Sequence, residues 1–185
     1  MTKDEMRKKV LAMRKRTPEL MLKQRSGIIC QTLTHTEEWE KARSIWTYIS
    51  LPGEVETFTL IEKAWEAGKE VAVPKVEGDE LSFRVIDDWS QVEEGYFHVL
   101  EPVDRRISFE EDALLVMPGV AFDLKCSRLG YGRGFYDRFL LDHPTHPTCA
   151  LSFDFALFDE IPTDEKDRKP QMVITDKRIL RVDNR

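Results

Sequence analysis

The chain has 185 residues, of which 41% are hydrophobic and 34% are charged, and its formal net charge is −6. This length is enough to bury a hydrophobic core, and the composition excludes a disordered or fibrous chain. An acidic balance disfavours general binding to nucleic acid, which needs clustered positive charge to neutralise phosphates. We therefore expect one soluble domain over residues 1–185 and no nucleic-acid partner.

The cysteines and the N-terminal segment suggest a compartment. Three cysteines, Cys30, Cys126 and Cys149, lie far apart and form no CxxC pair, a pattern typical of reduced thiols in the cytosol. The first seven residues are charged and lack the apolar run of a signal peptide. No stretch approaches the ~20 apolar residues of a membrane span. We expect a cytoplasmic protein with no membrane partner.

Helices and strands are predicted to alternate along the chain. Helical spacing of apolar residues predicts helices at residues 2–16, 18–34, 57–67 and 135–142. Thr17 is expected to cap the second helix, with Pro18 at its first helical position. Apolar and β-branched runs predict strands at residues 44–50, 71–73 (ended by Pro74), 81–86, 113–117, 148–153 and 172–175, the last strand of the chain.

This alternation predicts an α/β fold of three layers, with a largely parallel (mixed), Rossmann-like sheet flanked by helices. The segment 87–112 has no regular pattern and is interpreted as an excursion from the sheet. Ligands of such sheets bind at the carboxyl ends of the strands. That rule selects four loops, at residues 51–56, 74–79, 118–134 and 154–158.

The densest motif is PGVAFD at residues 118–123, followed by RLGYGRGFYDR at residues 128–138. Glycines at every second position from Gly130 to Gly134 allow the backbone to approach a ligand closely. Backbone N–H groups and the start of the following helix then favour an anion. Arg128 and Arg133 add full positive charges, and Asp137 in the first helical turn is suited to holding Mg²⁺ beside phosphates. The motif predicts a phosphate-binding loop.

Other readings of this loop are weaker. It lacks the GxxxxGK[ST] sequence of a P-loop, and its G-x-G-x-G spacing departs from the GxGxxG of a dinucleotide fingerprint. Three glycines that only form a tight turn remain an alternative. The segment with His143 and His146 contains two prolines, which suggest a loop, and no carboxylate or cysteine completes a metal site with this pair. We do not expect metal binding there.

The sequence PGVAFD…RLGYGRGFYDRFL resembles the signature of the 5-formyltetrahydrofolate cyclo-ligase family, also called 5,10-methenyltetrahydrofolate synthetases. The likeness extends along nearly the whole chain in matching order: a basic N-terminal helix with KxxxR, SLPGEVET at residues 50–57, VPK at 73–75 and IPTDEKDR at 161–168. The resemblance implies a ring closure of 5-formyltetrahydrofolate that depends on ATP and Mg²⁺ and releases ADP and phosphate. The implied mechanism transfers the γ-phosphoryl group to the formyl oxygen, after which N10 attacks the formyl carbon.

The resemblance also implies roles for individual residues. Arg128, Arg133 and Asp137 would be catalytic, and Asp137 and Asp167 would bind the metal. The ATP-binding residues would be Lys3, Arg7, Arg128, Gly130, Tyr131, Gly132, Arg133, Gly134, Phe135 and Tyr136. The residues that bind the folate would be Glu54, Tyr131, Gly132, Arg133, Gly134 and Phe135. Lys75 is a further candidate for contacting a phosphate or the glutamate tail of the substrate.

The chain departs from the family pattern at four positions. Cys126 stands where the family usually has Gly, Phe135 where Tyr is common, Ala156 where some members have Gln, and Arg133 where Gly or Lys is frequent. A catalytically silent folate- or nucleotide-binding relative therefore remains an alternative, as does an RNA-binding protein. The expected partner is a small molecule, 5-formyltetrahydrofolate with or without a polyglutamate tail. The expected protein is a monomer or a weak homodimer.

Overall fold

The computed structural model describes residues 1–95, 98–103 and 106–182. Within these residues lie five α-helices and twelve strands. The helices are α1 (Lys3–Arg16), α2 (Glu19–Thr34), α3 (Glu37–Lys41), α4 (Phe58–Glu66) and α5 (Phe135–Asp142). The strands are β1 (Ser44–Thr47), β2 (Glu70–Glu77), β3 (Glu80–Val85), β4 (Val92–Glu94), β5 (Leu100–Pro102), β6 (Leu114–Met117), β7 (Ala121–Asp123), β8 (Arg128–Leu129), β9 (Thr148–Leu151), β10 (Leu157–Phe158), β11 (Met172–Ile174) and β12 (Ile179–Arg181).

Seven strands form the main sheet in the order β12-β11-β9-β6-β1-β2-β3. The five central strands run parallel, and β3 and β12 are antiparallel edges. A smaller sheet in the order β10-β7-β8 lies beside it, and β4 pairs with β5. The predicted α/β class with a largely parallel, mixed sheet is confirmed.

Helices cover both faces of the main sheet because its central strands are apolar on both sides. In β1, Ile45 packs in the cluster with α2 and α4, and Trp46 packs in the cluster with Phe139 of α5. A third apolar cluster joins α1 to the small sheet, with Met6 and Val10 against Val120, Ala121 and Leu129. This last contact places the N-terminal helix next to the glycine loop.

Several predicted boundaries are wrong. Pro74 does not end β2, which continues to Glu77; β2 pairs with β1 only as far as Ala72, so a residue without an N–H is tolerated beyond that point. Thr17 caps the C-terminus of α1, and Pro18 is the non-helical cap of α2. The strand 172–175 is not the last, since β12 folds back on it.

The sequence did not predict the shortest helix and strands, because each of them spans only one turn or a few residues. Helix α3 depends on Thr36, whose hydroxyl accepts a hydrogen bond from the N–H of Trp39 at 3.3 Å. Strands β7, β8 and β10 have two or three residues each. The predicted excursion at residues 87–112 contains the β4–β5 hairpin, while residues 96, 97, 104 and 105 of that segment lie outside the described residues.

Candidate active site

A cavity of about 300 Å³ lies between the start of α1, the glycine loop and the segment around residue 164. Twelve residues predicted to bind phosphates or metal line it. They are Lys3, Arg7, Arg128, Gly130, Tyr131, Gly132, Arg133, Gly134, Phe135, Tyr136, Asp137 and Asp167. Residues from three distant parts of the sequence therefore meet in one cleft, which we call the phosphate cleft.

The glycine loop leads from β8 directly into α5. Gly132 and Gly134 have φ angles of +100° and +67°, which other residues rarely adopt. Gly134 is also the N-cap of α5, and no side chain caps this end of the helix. The first N–H groups of α5 therefore have no partner within their own helix and favour an anion in front of them.

Arg128 and Asp137 form the ion pair at the floor of the cleft. Nη2 of Arg128 donates to Oδ1 of Asp137 at 2.9 Å, and the two side chains are only 5% and 19% exposed. Nη1 of Arg128 also donates to the Pro118 carbonyl, whereas its buried Nε has no hydrogen-bond partner in the described parts of the chain. Oδ1 of Asp137 also accepts from the backbone N–H of Arg168 at 2.9 Å. Both of these bonds fall on the same carboxylate oxygen, Oδ1.

Lys3 closes the opposite wall of the cleft. Its ammonium lies 2.7 Å from Asp167 and 3.2 Å from Asp164. Partial burial lowers the pKa of Lys3, but its hydrogen bonds to the two carboxylates outweigh this and leave the pKa raised. Nε of Arg7, one helical turn later, donates to the Gly130 carbonyl at 2.9 Å. The predicted phosphate ligands of α1 thus contact both the glycine loop and the predicted metal ligand Asp167.

Arg133 stands at the exposed rim. Its guanidinium lies 5.5 Å from the centre of the Phe135 ring, and that of Arg138 lies 5.1 Å from the same ring. Nη1 of Arg138 donates to the carbonyl of Arg133 at 2.8 Å. The ring at position 135 therefore supports two cations, a role that needs no phenol hydroxyl.

Glu54 lies apart from the phosphate cleft, in a second cavity of about 1110 Å³ between α1, α2 and the loop after β1. This second cavity has room for a ligand much larger than a phosphate group. Tyr131 borders both cavities. Its hydroxyl donates to Oε1 of Glu54 at 2.6 Å, and burial followed by the charge of Glu54 raises its pKa.

Two charged residues that line these cavities, Asp164 and Arg14, were not predicted as site residues. Asp164, which shares Lys3 with Asp167, lines the phosphate cleft. Arg14 lines the second cavity and is 7% exposed. Its only sequence signal is its place seven residues after Arg7, on nearly the same face of α1. Lys75, in contrast, pairs with Glu101 at 2.5 Å and lines neither cavity.

The remaining candidates, His146 and the three cysteines, are buried inside the protein. His146 is buried, its Nδ1 lies 3.1 Å from the Ala113 carbonyl, and no group of three or more potential metal ligands exists among the described residues. The three cysteines are buried, and burial raises their pKa values, to about 12 for Cys30. Unreactive thiols of this kind serve as small apolar side chains.

The fold and the cleft define an α/β protein with a glycine-lined cleft that carries lysine and arginine side chains and lies beside a larger cavity. Residues 1–176 match the 5-formyltetrahydrofolate cyclo-ligase family. The chain belongs to this family, and the predicted family membership is confirmed. The described residues include no helix long and apolar enough to cross a bilayer.

Individual relatives agree with this assignment. The chain is 31% identical over 146 residues to the 5-formyltetrahydrofolate cyclo-ligase of Escherichia coli strain K12, covering 75% of this chain and 80% of that protein. It is 29% identical over 172 residues to a probable 5-formyltetrahydrofolate cyclo-ligase of Schizosaccharomyces pombe, covering 83% and 84%. An NMR structure of Aquifex aeolicus 5,10-methenyltetrahydrofolate synthetase has a TM-score of 0.88 and 33% identity, covering 100% of this chain and 95% of the other. The predicted enzyme class, a cyclo-ligase, is confirmed.

Proposed function

We propose that this protein closes the ring of 5-formyltetrahydrofolate to give 5,10-methenyltetrahydrofolate, in a reaction that consumes ATP and requires Mg²⁺. The observation that carries the proposal is the meeting of the two cavities at Tyr131, which borders both. A phosphoryl donor in the small cleft and a folate in the large cavity would lie side by side. Phosphoryl transfer depends mainly on such positioning and on charge stabilisation.

The cleft fits a polyphosphate. Lys3, Arg7 and Arg128 supply three positive charges on its walls, and the glycine loop leaves backbone N–H groups and the start of α5 open to an anion. At Gly132 an added Cβ would lie 3.7 Å from the Arg7 guanidinium and would force a strained backbone. The absence of side chains here keeps the cleft open.

The carboxylates of the cleft fit Mg²⁺ when phosphate completes the ligand set. Protein sites for this ion commonly use one or two carboxylates together with phosphate oxygens and water. Asp137 and Asp167 are such a pair, and both line the cleft. Lys3 contacts Asp167 in the structure. When ATP binds in the cleft, the Lys3 ammonium can exchange this carboxylate for a phosphate oxygen.

In the proposed reaction, Mg-ATP supplies the phosphoryl group that converts the formyl oxygen into a leaving group. Arg128 and Arg133 stabilise the negative charge that develops during the transfer. Glu54 accepts hydrogen bonds from the amino and ring N–H groups of the pterin and orients the folate so that N10 faces the formyl carbon. The reaction needs no protein nucleophile, in accord with the buried, unreactive cysteines.

The test is an absorbance assay for methenyltetrahydrofolate with 5-formyltetrahydrofolate as substrate. Product should form only when both ATP and Mg²⁺ are present, with one ADP released per product. Binding of 5-formyltetrahydrofolate and ATP without any product or ADP would instead support the catalytically silent alternative. Product formed without ATP would contradict the proposed mechanism.

A further inference from the structure

Arg14 is a buried cation in the wall of the large cavity. Its Nη2 donates to the carbonyl oxygens of Gly119 at 2.8 Å and Val120 at 3.3 Å, and its Nη1 donates to the Tyr131 hydroxyl at 2.9 Å. Among the described residues it belongs to no ion pair, and its Nε has no hydrogen-bond partner. Burying a guanidinium without a carboxylate in direct contact costs free energy. A charge kept under these conditions points to a role beyond packing.

The hydrogen bonds from Arg14 have only one possible direction. Arginine donates and cannot accept, so the Tyr131 oxygen accepts from Arg14. The single phenol proton is then free to be donated to Oε1 of Glu54, at 2.6 Å. The other carboxylate oxygen, Oε2, accepts from the backbone N–H of Leu51 at 2.8 Å. Glu54 therefore accepts a hydrogen bond at each oxygen, and the donor of one of them, the Tyr131 hydroxyl, itself accepts from Arg14.

We propose that Arg14 is a positioning residue that orients the Glu54 carboxylate toward the folate through the Tyr131 hydroxyl. This inference rests on the proposed function, because it assigns a purpose to the orientation of Glu54. Hydrogen bonds in series polarise one another, so the charge of Arg14 strengthens the bond from Tyr131 to Glu54. A carboxylate that is already oriented loses less freedom when the folate binds.

The first experiment measures the dissociation constant of 5-formyltetrahydrofolate by calorimetry in the absence of ATP. The variants are Arg14→Met, Tyr131→Phe and the double substitution. Each single substitution should weaken binding about tenfold, the size expected for one hydrogen bond to a charged group. The double variant should bind no more weakly than the weaker single variant, because both substitutions interrupt the same series of bonds. Arg14→Lys should recover part of the loss.

Two comparisons separate positioning from a structural role. Lys8→Met removes a positive charge from the exposed face of the same helix and should leave folate binding unchanged. Arg14→Met also deprives two carbonyl groups of a donor and is expected to lower stability, whereas Tyr131→Phe leaves both of those hydrogen bonds in place. Folate binding unchanged in Tyr131→Phe, or losses that add fully in the double variant, would overturn the proposal.

A result that contradicts the proposed function can be distinguished from one that contradicts only the role of Arg14. A wild-type protein that binds no 5-formyltetrahydrofolate would overturn both that function and the folate role of Arg14. The free energies of unfolding of the same variants, measured in urea without ligand, then report on the contact alone. A coupling between Arg14→Met and Tyr131→Phe would support the series of hydrogen bonds, and additive losses would overturn it.

Discussion

Asp137 serves both the fold and the proposed chemistry with one carboxylate. Its Oδ1 joins Arg128 to the backbone of Arg168, and so ties the glycine loop to the segment that contains Asp167. The charge of this group matters for holding a cation, while the acceptor oxygen matters for the two hydrogen bonds. A substitution can separate these properties.

Asp137→Asn keeps an acceptor oxygen and removes the negative charge. We expect the fold to survive and ATP-dependent turnover to fall on the order of a hundredfold, the scale seen when a charge-stabilising group is removed from an active site. Turnover and thermal unfolding are to be measured together. Asp142→Asn, on an exposed position at the end of the same helix, should leave turnover intact. Full activity in Asp137→Asn would contradict its role in the site.

Cys126 occupies a backbone conformation that disfavours every side chain. Its φ is +60°, and it is fully buried at the turn between β7 and β8. The left-handed region costs a residue with a Cβ about 1–2 kcal/mol, which explains why glycine suits this position. The sulfur packs in the core beside α5 and offsets part of that strain.

Substitutions of Cys126 should therefore reverse the usual order of stability. Cys126→Ala loses the sulfur contacts and keeps the strained backbone, whereas Cys126→Gly loses the contacts and relieves the strain. We expect the Gly variant to be more stable than the Ala variant by about 1 kcal/mol. Urea unfolding measures the difference. An Ala variant that is the more stable of the two would show that the strain is negligible.

At the scale of elements, α1 supplies side chains to both cavities while anchoring itself through a separate apolar stripe. Met6 and Val10 are buried against the small sheet. Lys3 reaches the phosphate cleft, and Arg14 reaches the large cavity. The buried stripe fixes the rotation of the helix, and this rotation determines which charged residues face the site.

Lys3→Met should raise the ATP KM about tenfold, because a charged contact to a phosphate of about 1.5 kcal/mol or more is lost. The folate KM should change less, since Lys3 does not line the large cavity. Lys8→Met is the matched control, with the same change of charge on the exposed face of α1. Equal ATP KM values for the two variants would count against a phosphate role for the helix.

At the scale of the whole molecule, charge is unevenly distributed. Residues 1–16 contain seven Lys or Arg against two Asp or Glu, although the chain as a whole carries −6. Tertiary contacts bring this basic helix to the arginine-bearing glycine loop. Basic side chains from two distant segments are thereby concentrated at one cleft of an acidic chain, an arrangement that favours an anionic small molecule there.

We expect His146 to make the stability of the whole molecule depend on pH. The ring is 3% exposed, packs 4.5 Å from the Trp46 ring and lies within hydrogen-bond distance of the Ala113 carbonyl. Burial lowers the pKa of His146 below its ordinary value of 6.5. The unfolded chain then binds a proton more readily than the folded one. The contribution of the neutral His146 ring to the free energy of unfolding is therefore fully present above the ordinary pKa and decreases as the pH falls toward the pKa of the folded state.

His146→Phe should remove this dependence. Wild-type stability in urea should decline between pH 7 and pH 5, and the variant should lose less stability over that interval even if it starts lower. His35→Gln, which changes an exposed histidine, is the control. Asp123 does not interfere in this window: although its burial raises the pKa, hydrogen bonds from Ile161, Ser127 and Lys125 outweigh that effect and lower it below 3.8. An equal decline in His146→Phe would assign the pH dependence to other groups.

The sequence predicted the features that depend on neighbours in the chain. Glycine spacing, the positive charges and the following helix predict an anion site at residues 128–137, because these determinants lie within ten residues of one another. The alternation of helices and strands predicted the sheet for the same reason. The roles of the site residues, and a single domain over residues 1–185, stay predictions.

The contacts between distant segments were decided only by the tertiary structure. Arg14 and the Tyr131 hydroxyl are 117 residues apart, and Lys3 and Asp167 are 164 apart. The sequence places Arg14 on nearly the same face of α1 as Arg7 but does not show which face is buried, since that follows from the packing of Met6 and Val10. By itself, the sequence determined the family and predicted a phosphate-binding loop. The fold decided which cation is buried and which carboxylate it orients, because burial results from the packing of the whole chain.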